Sequence, residues 1–202
     1  ASEIHGWGGT GTTAHEYLSA DLEHPDAEVV LARGLGRSYG DASLPPSAHP
    51  FALNTTRADR VLAFDPGAAV IRAEAGLSLE ALNDLIMPHG LFPRVTPGTK
   101  FVTLGGMVAA DVHGKNQHEA GNISHQVRSM RVLVADGRVV TCSRTEHPDL
   151  FFATLGGMGL TGIVLDVEMT LERIPSPYIF QESRRIRDID EFEEALVEVA
   201  PK

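Results

Sequence analysis

Residues 97–116 read Pro-Gly-Thr-Lys-Phe-Val-Thr-Leu-Gly-Gly-Met-Val-Ala-Ala-Asp-Val-His-Gly-Lys-Asn. A core element carries more bulk than this, and a plain surface loop carries more charge. Small side chains and backbone-permissive glycines let a chain lie close against a ligand. The His113-Gly114-Lys115 cluster then puts reactive side chains at one end. The segment therefore suits a large, flat, partly anionic ligand. Pro97-Gly98-Thr99 sets a turn. Thr103-Leu104-Gly105-Gly106 opens a short helix, whose first N–H groups are expected to be free to hold a phosphate. His113 has the chemistry of a proton shuttle or of a contact to a redox ring. A lone histidine is more often a satisfied structural group, and Lys115 and His118 are solvated by default. Asp111 has the simpler role of pairing with a neighbour.

Two further glycine clusters frame this segment. Gly34, Gly36 and Gly40, with Ser38 among them, allow backbone N–H groups to converge into an anion-binding nest. Arg33 and Arg37 add positive charge. The spacing G-x-G-x-x-x-G matches neither a P-loop nor a dinucleotide fingerprint, and a plain tight turn competes with the nest. Gly157, Gly159 and Gly162 do satisfy G-x-G-x-x-G, but a helix precedes them and a strand follows. The dinucleotide fold requires the reverse order, so that reading is rejected.

Composition narrows the partners. The 202 residues carry a net charge of −10, which opposes general nucleic-acid binding. A locally positive phosphate pocket remains compatible with it. The single cysteine, Cys142, can form no internal disulfide and fits a reducing compartment, hence a cytoplasmic location. No apolar run approaches the ~20 residues of a membrane span, and no His/Cys cluster suggests a metal. The sequence starts without Met and stops within a helical pattern, so a piece of a longer protein is expected.

Periodicity indicates a mixed α+β chain. Residues 28–31 read as a short buried strand or as the start of a helix, and 51–54 as a second short strand. Hairpins are expected around Asp65-Pro66-Gly67 and Ala135-Asp136-Gly137. Ser78 caps a helix whose apolar face is Leu79, Leu82, Leu85 and Ile86, closed by Gly90. A helix over 148–155 and a strand over 162–171 follow, the strand with Leu165, Val167, Met169 and Leu171 on one apolar face. After Pro175 and Pro177, a strand over 178–187 and an acidic amphipathic helix over 191–199 are expected.

Taken in order, Gly6-Trp7-Gly8, Arg33 to Asp41, Pro97 to Asn116, Val127-Arg128-Ser129-Met130 and Gly156 to Ile163 resemble the FAD-binding domain of the vanillyl-alcohol-oxidase and p-cresol-methylhydroxylase type flavoproteins. Within that family they are most similar to the branch that oxidises decaprenylphosphoryl-β-D-ribose at the 2′ position. The resemblance covers most of residues 6–175. It implies an FAD-binding domain there, made of two α+β subdomains (approximately 6–70 and 71–175), with 176–202 opening an incomplete substrate domain. It implies FAD lying extended between the subdomains. Arg33, Gly34, Leu35, Gly36, Arg37, Ser38, Tyr39, Gly40 and Asp41 would wrap the pyrophosphate. Pro97, Gly98, Thr99, Thr103, Leu104, Gly105, Gly106, Ala110, Asp111, Val112 and His113 would line the cofactor channel, with Gly162 and Ile163 reaching it by backbone. His113, Gly114 and Lys115 would face the substrate, His113 and Lys115 as catalytic candidates.

The implied reaction passes a hydride from a secondary alcohol carbon to flavin N5, leaving a ketone, with the base for the hydroxyl proton mostly in the second domain. A separate NAD(P)H-dependent reductase would complete an epimerisation of a polyprenyl-phosphate pentose, and the substrate class implies a position peripheral to the membrane. Many relatives place a flavin-linking histidine where this sequence has Arg37, so FAD is expected to be noncovalent. Three other readings stay open. One is an alditol or aldonolactone oxidase using oxygen, and another is an FAD-binding module without turnover. The third is an α+β scaffold whose glycines serve turns only.

Overall fold

The computed structural model describes residues 1–26, 29 and 31–199. Of the strand or helix start expected over 28–31, Glu28 and Val30 lie outside the described residues. The described strand β3 occupies Leu31–Arg33, after β1 (Ser2–His5) and β2 (Gly11–Leu18). With β4 (Phe51–Asn54) these form a four-stranded sheet in the order β1-β2-β4-β3. β1 and β2 pair antiparallel, while β2 and β3 both run parallel to β4. The β1–β2 hairpin has no counterpart in the expected elements. Its residues are mostly polar, and only Ile4 and Ala14 are buried, so its apolar periodicity is faint. β3 and β4 point the same way, so the glycine-rich loop after Arg33 emerges at the carboxyl end of parallel strands. Open parallel sheets characteristically bind ligands at that end.

The second sheet is antiparallel, in the order β5-β6-β10-β8-β9. It comprises β5 (Val61–Asp65), β6 (Val70–Glu74), β8 (Val127–Leu133), β9 (Val139–Ser143) and β10 (Ile163–Thr170), while β7 (Leu91–Phe92) pairs separately with β11 (Glu172–Arg173). β5 belongs with β6, so the sheets divide between Asn54 and Val61, ahead of the division expected near residue 70. Both expected hairpins form. Asp65 Oδ1 accepts from Ala68 N at 2.9 Å, and Gly137, at φ +83°, closes the β8–β9 turn.

Helix α1 (Leu79–Ile86) is capped as expected, with Ser78 Oγ accepting from Ala81 N, and it buries Leu79, Leu82 and Ile86. The short helices α2 (Leu104–Ala109), α3 (Gln117–Ala120) and α4 (Pro148–Thr154) lie in the connections of the second sheet. Leu22 and Leu53 from the first sheet's half join one core with Ile71, Leu82, Val108 and Met130.

The expected apolar face of β10 is buried, and so are Val164 and Asp166 on the other face, because it is the central strand of five. One expectation about the elements needs correcting. No strand forms over 178–187. Tyr178, Ile179 and Phe180 are exposed, and no pairing partner lies beside them among the described residues. A lone strand leaves its ladder of N–H and C=O groups unpaired. The helix beyond it, α5 (Ile189–Val199), forms with Phe192 and Leu196 exposed. Among the described residues, no helix is long and apolar enough to cross a membrane.

Candidate functional site

The loop from Gly34 to Asp41 is built to leave its backbone open. Gly36 and Gly40 have φ of +68° and +59°, a region that favours glycine. Among the described residues, the N–H groups of Leu35 to Gly40 have no protein acceptor. Beneath them lies the buried side chain of Arg33. Its Nε donates to Glu16 Oε1 at 3.1 Å and its Nη2 to His5 O at 2.8 Å. Nη1 is buried without a partner. A Cβ on Gly36 would run into this guanidinium. Burial lowers the pKa of Arg33, with Glu16 opposing the shift. From behind, Trp7 N donates to Ser38 O at 3.1 Å, and the Arg37 guanidinium lies 5.8 Å from the Trp7 ring centroid. Tyr39 is exposed, and Asp41 O accepts from Leu44 N.

The segment around α2 meets this loop at its N-terminus. Gly34 packs directly on the Thr103 side chain, leaving no room for a Cβ. Thr103 caps α2 as a threonine should, its Oγ1 accepting from Gly106 N at 3.3 Å. The first N–H groups of α2 are not free, contrary to expectation. Leu104 N donates to Leu77 O and Gly105 N to Ala75 O, both at 2.8 Å. The chain between β6 and α1 returns over the helix start and takes the donors a phosphate would use. The N–H groups left open are therefore those of the loop, while those of Leu104, Gly105 and Gly106 all have protein acceptors. Gly98 faces open space, and Thr99 Oγ1 accepts from Phe101 N.

The third glycine cluster docks on the other end of α2. Gly156 N donates to Val108 O at 3.1 Å and Met158 N to Ala109 O at 2.8 Å. Gly162, at φ +142°, leaves room for Leu133 O, and Ile163 pairs with Leu133 across β8 and β10.

After Ala110, the carboxylate of Asp111 is already engaged. Oδ2 accepts from Asn122 Nδ2 and Oδ1 from Ser124 N, each at 3.0 Å. Val112 O accepts from Ile123 N at 2.9 Å, and His113 forms an isolated antiparallel bridge with Asn122. His113 is exposed, its Nδ1 lying 3.4 Å from Gly114 O. Gly114 fits against Thr96 O, and Asn116 Nδ2 donates to Arg94 O at 3.0 Å. These contacts hold the 94–96 backbone against the 114–116 segment, which carry Arg94 and Lys115. Both residues are exposed. Neither has a hydrogen-bond or ion-pair partner from its side chain among the described residues, in a chain where acidic residues outnumber basic ones 27 to 17. The reading of the sequence missed Arg94. Its signal is a lone cation in the otherwise uncharged run Leu91-Phe92-Pro93-Arg94-Val95-Thr96-Pro97-Gly98. A shallow depression of about 470 Å³ by the β8–β9 turn, lined by Asp136, Arg138 and His147, includes none of these residues.

Residues 25–143 match the family model described as FAD binding domain. The chain belongs to that family. FAD is accordingly the cofactor of this domain. The chain is 36% identical to decaprenylphosphoryl-beta-D-ribose oxidase of Mycolicibacterium smegmatis over 93% of its own length and 43% of that protein's. It is 27% identical to D-arabinono-1,4-lactone oxidase of Yarrowia lipolytica, over 84% of the chain and 34% of that protein. It is 29% identical to L-gulonolactone oxidase of Mus musculus, over 80% of the chain and 36% of that protein. The chain thus spans less than half the length of these relatives.

Proposed function

We propose that this chain is the cofactor-holding part of an FAD-dependent oxidoreductase acting on a secondary alcohol of a phosphate-bearing sugar. The specific reading is oxidation of the 2′-hydroxyl of a polyprenylphosphoryl ribose, the first half of an epimerisation to the arabinose. The residues fit FAD. The unpartnered N–H groups of Leu35 to Gly40, over the buried Arg33 with its orphan Nη1, suit a pyrophosphate. Bound FAD supplies the acceptor for the hydride. The resemblance implies that many members of the family carry a flavin-linking histidine where this chain has Arg37, and a guanidinium forms no such bond, so the reading is that the cofactor is held noncovalently.

The observation that carries the substrate class is the pair Arg94 and Lys115. Two exposed cations without side-chain partners among the described residues, on segments that Gly114 and Asn116 hold together next to His113, would attract an anion, in a protein whose overall charge would repel one. His113 contacts the sugar, and Lys115 and Gly114 complete that side of the site. Residues 176–202 open the substrate-binding unit, which accounts for the exposed Tyr178, Ile179 and Phe180. A separate NAD(P)H-dependent reductase consumes the ketone. The second reading, a lactone or alditol oxidase using oxygen, draws on the names of the two lactone-oxidase relatives. A neutral substrate would leave Arg94 and Lys115 without an anion.

This chain alone is expected to be inactive, so the test loads the full-length protein with FAD, precipitates part with acid, and follows flavin bleaching without oxygen in the rest. Flavin is expected in the acid supernatant; flavin in the pellet overturns noncovalent binding, and no uptake overturns the site. Farnesylphosphoryl ribose should bleach the flavin, and Arg94→Gln should raise its half-saturating concentration about tenfold, the loss of one charged contact. Bleaching by L-gulonolactone alone, with peroxide on admitting air, moves the function to the second reading. Bound flavin that neither compound bleaches leaves an FAD-binding module without turnover.

A further inference from the structure

We propose that Asp111 is a positioning residue for His113 and not a ligand of the cofactor. The inference rests on the reading that His113 faces the substrate, but its geometry stands apart from that reading. Asp111 has φ of +41°, in the left-handed region that non-glycine residues seldom enter. Such a conformation persists where the surroundings determine it. Here the residue's own carboxylate does so. By holding Asn122 Nδ2 and Ser124 N at once, it clamps the turn at 122–124 against the chain leaving α2.

The clamp acts on the backbone of His113 through three consecutive ties. The Asp111 carboxylate holds the 122–124 turn, Val112 O takes Ile123 N, and His113 bridges to Asn122. The same turn is anchored from the far side. Arg144 Nη2 donates to Ser124 O at 2.6 Å, and its guanidinium lies 5.7 and 5.5 Å from the ring centroids of Phe151 and Phe152. Phe151 is fully buried, as is Ile123 between the two clamps. The backbone of Ser124 is thus gripped at its N–H by Asp111 and at its C=O by Arg144. The line runs unbroken from the core to His113. The imidazole contributes little to its own fixation, with one contact of 3.4 Å to the adjacent residue's carbonyl. Both carboxylate oxygens are occupied within the protein, so the aspartate has its work without a cofactor.

The test compares Asp111→Gly with Asp111→Asn. Glycine relieves the backbone strain but removes the acceptors. Asparagine also tolerates the left-handed region and keeps one acceptor oxygen for Ser124 N. Amide exchange at Ile123 and the imidazole NMR signals of His113, assigned with His113→Gln, are read beside FAD affinity. Asp111→Gly should speed Ile123 exchange about tenfold or more and move the His113 signals, with FAD affinity within about twofold of the parent. Asp111→Asn should recover part of the protection. Unmoved His113 signals in Asp111→Gly overturn the proposal, and so does a tenfold loss of FAD affinity in both variants, which would make Asp111 a cofactor ligand. Flavin bleaching separates the two claims. Where His113→Gln leaves bleaching unchanged but Asp111→Gly still moves the His113 signals, the positioning stands and the substrate role of His113 fails.

Discussion

Cys142 on β9 lies across from Met130 on β8, and both are fully buried. Burial pushes its thiol up to about 11, with Glu146 adding to the shift. Only the thiolate is nucleophilic. The native protein is therefore expected to leave a disulfide reagent unreacted at pH 8 and to consume one equivalent once unfolded. Fast reaction of the folded protein would show that β9 opens locally. The place of Cys142 at the end of Arg138-Val139-Val140-Thr141-Cys142, where a hairpin strand runs, already fits an inert strand residue. Asp111 is the opposite case. Its residue type gave no means of choosing between a cofactor contact and a neighbour. The choice depends on Asn122 and Ser124, which reach it only in the folded chain.

Elements whose signals are local were legible. Ser78 and the apolar spacing of α1, the Asp65-Pro66-Gly67 and Ala135-Asp136-Gly137 turns, and the Thr103 cap all act over a few residues. Elements that need a distant partner were not. The 178–187 segment has strand composition but no edge to pair with among the described residues, and α2 lost its free N–H groups to Ala75 and Leu77. The close approach of the Arg33–Asp41 loop to α2 gives a test at this scale. Gly34→Ala would drive a methyl into Thr103, which is itself buried and caps α2. Overpacking of this kind costs about 1–3 kcal/mol, and FAD affinity should fall with the displaced loop. Gly8→Ala, whose Cβ meets nothing, should change stability by less than about 0.5 kcal/mol. Equal behaviour of the two variants would refute the close-packing argument.

Across the whole molecule, one ionic line ties the two sheets. Asp166, fully buried on the central strand, accepts from Arg72 Nε at 2.8 Å and Arg131 Nε at 2.6 Å. Arg131 Nη1 then reaches Glu23 Oε1, in the connection between β2 and β3, at 2.7 Å. The Arg131 pKa is raised: burial works against the charge, and hydrogen bonds to Asp166 and Glu23 outweigh it. Breaking a buried pair costs about 3–5 kcal/mol. The Arg72 and Arg131 side chains keep 28% and 33% exposure, so water can partly replace the lost partner and the low end applies. Asp166→Asn should lower stability by about 3 kcal/mol and the melting temperature by roughly 6–12 °C. A change under about 1 kcal/mol would mean that the line does not hold the halves together.

By itself the sequence determined the α+β class, the capped helix, the tight hairpins, the three glycine clusters and, through their order, the FAD-binding family. Each of these depends on residues close in sequence or on spacing that folding leaves intact. The tertiary structure decided which N–H groups stay open, what Asp111 holds, and that the segment carrying Arg94 lies against 114–116. Those outcomes turn on hydrogen bonds between residues far apart in the chain, such as Leu104 with Leu77, Asp111 with Ser124 and Asn116 with Arg94. A donor is spent or left free according to which acceptor the fold brings to it, and local sequence carries no record of that meeting.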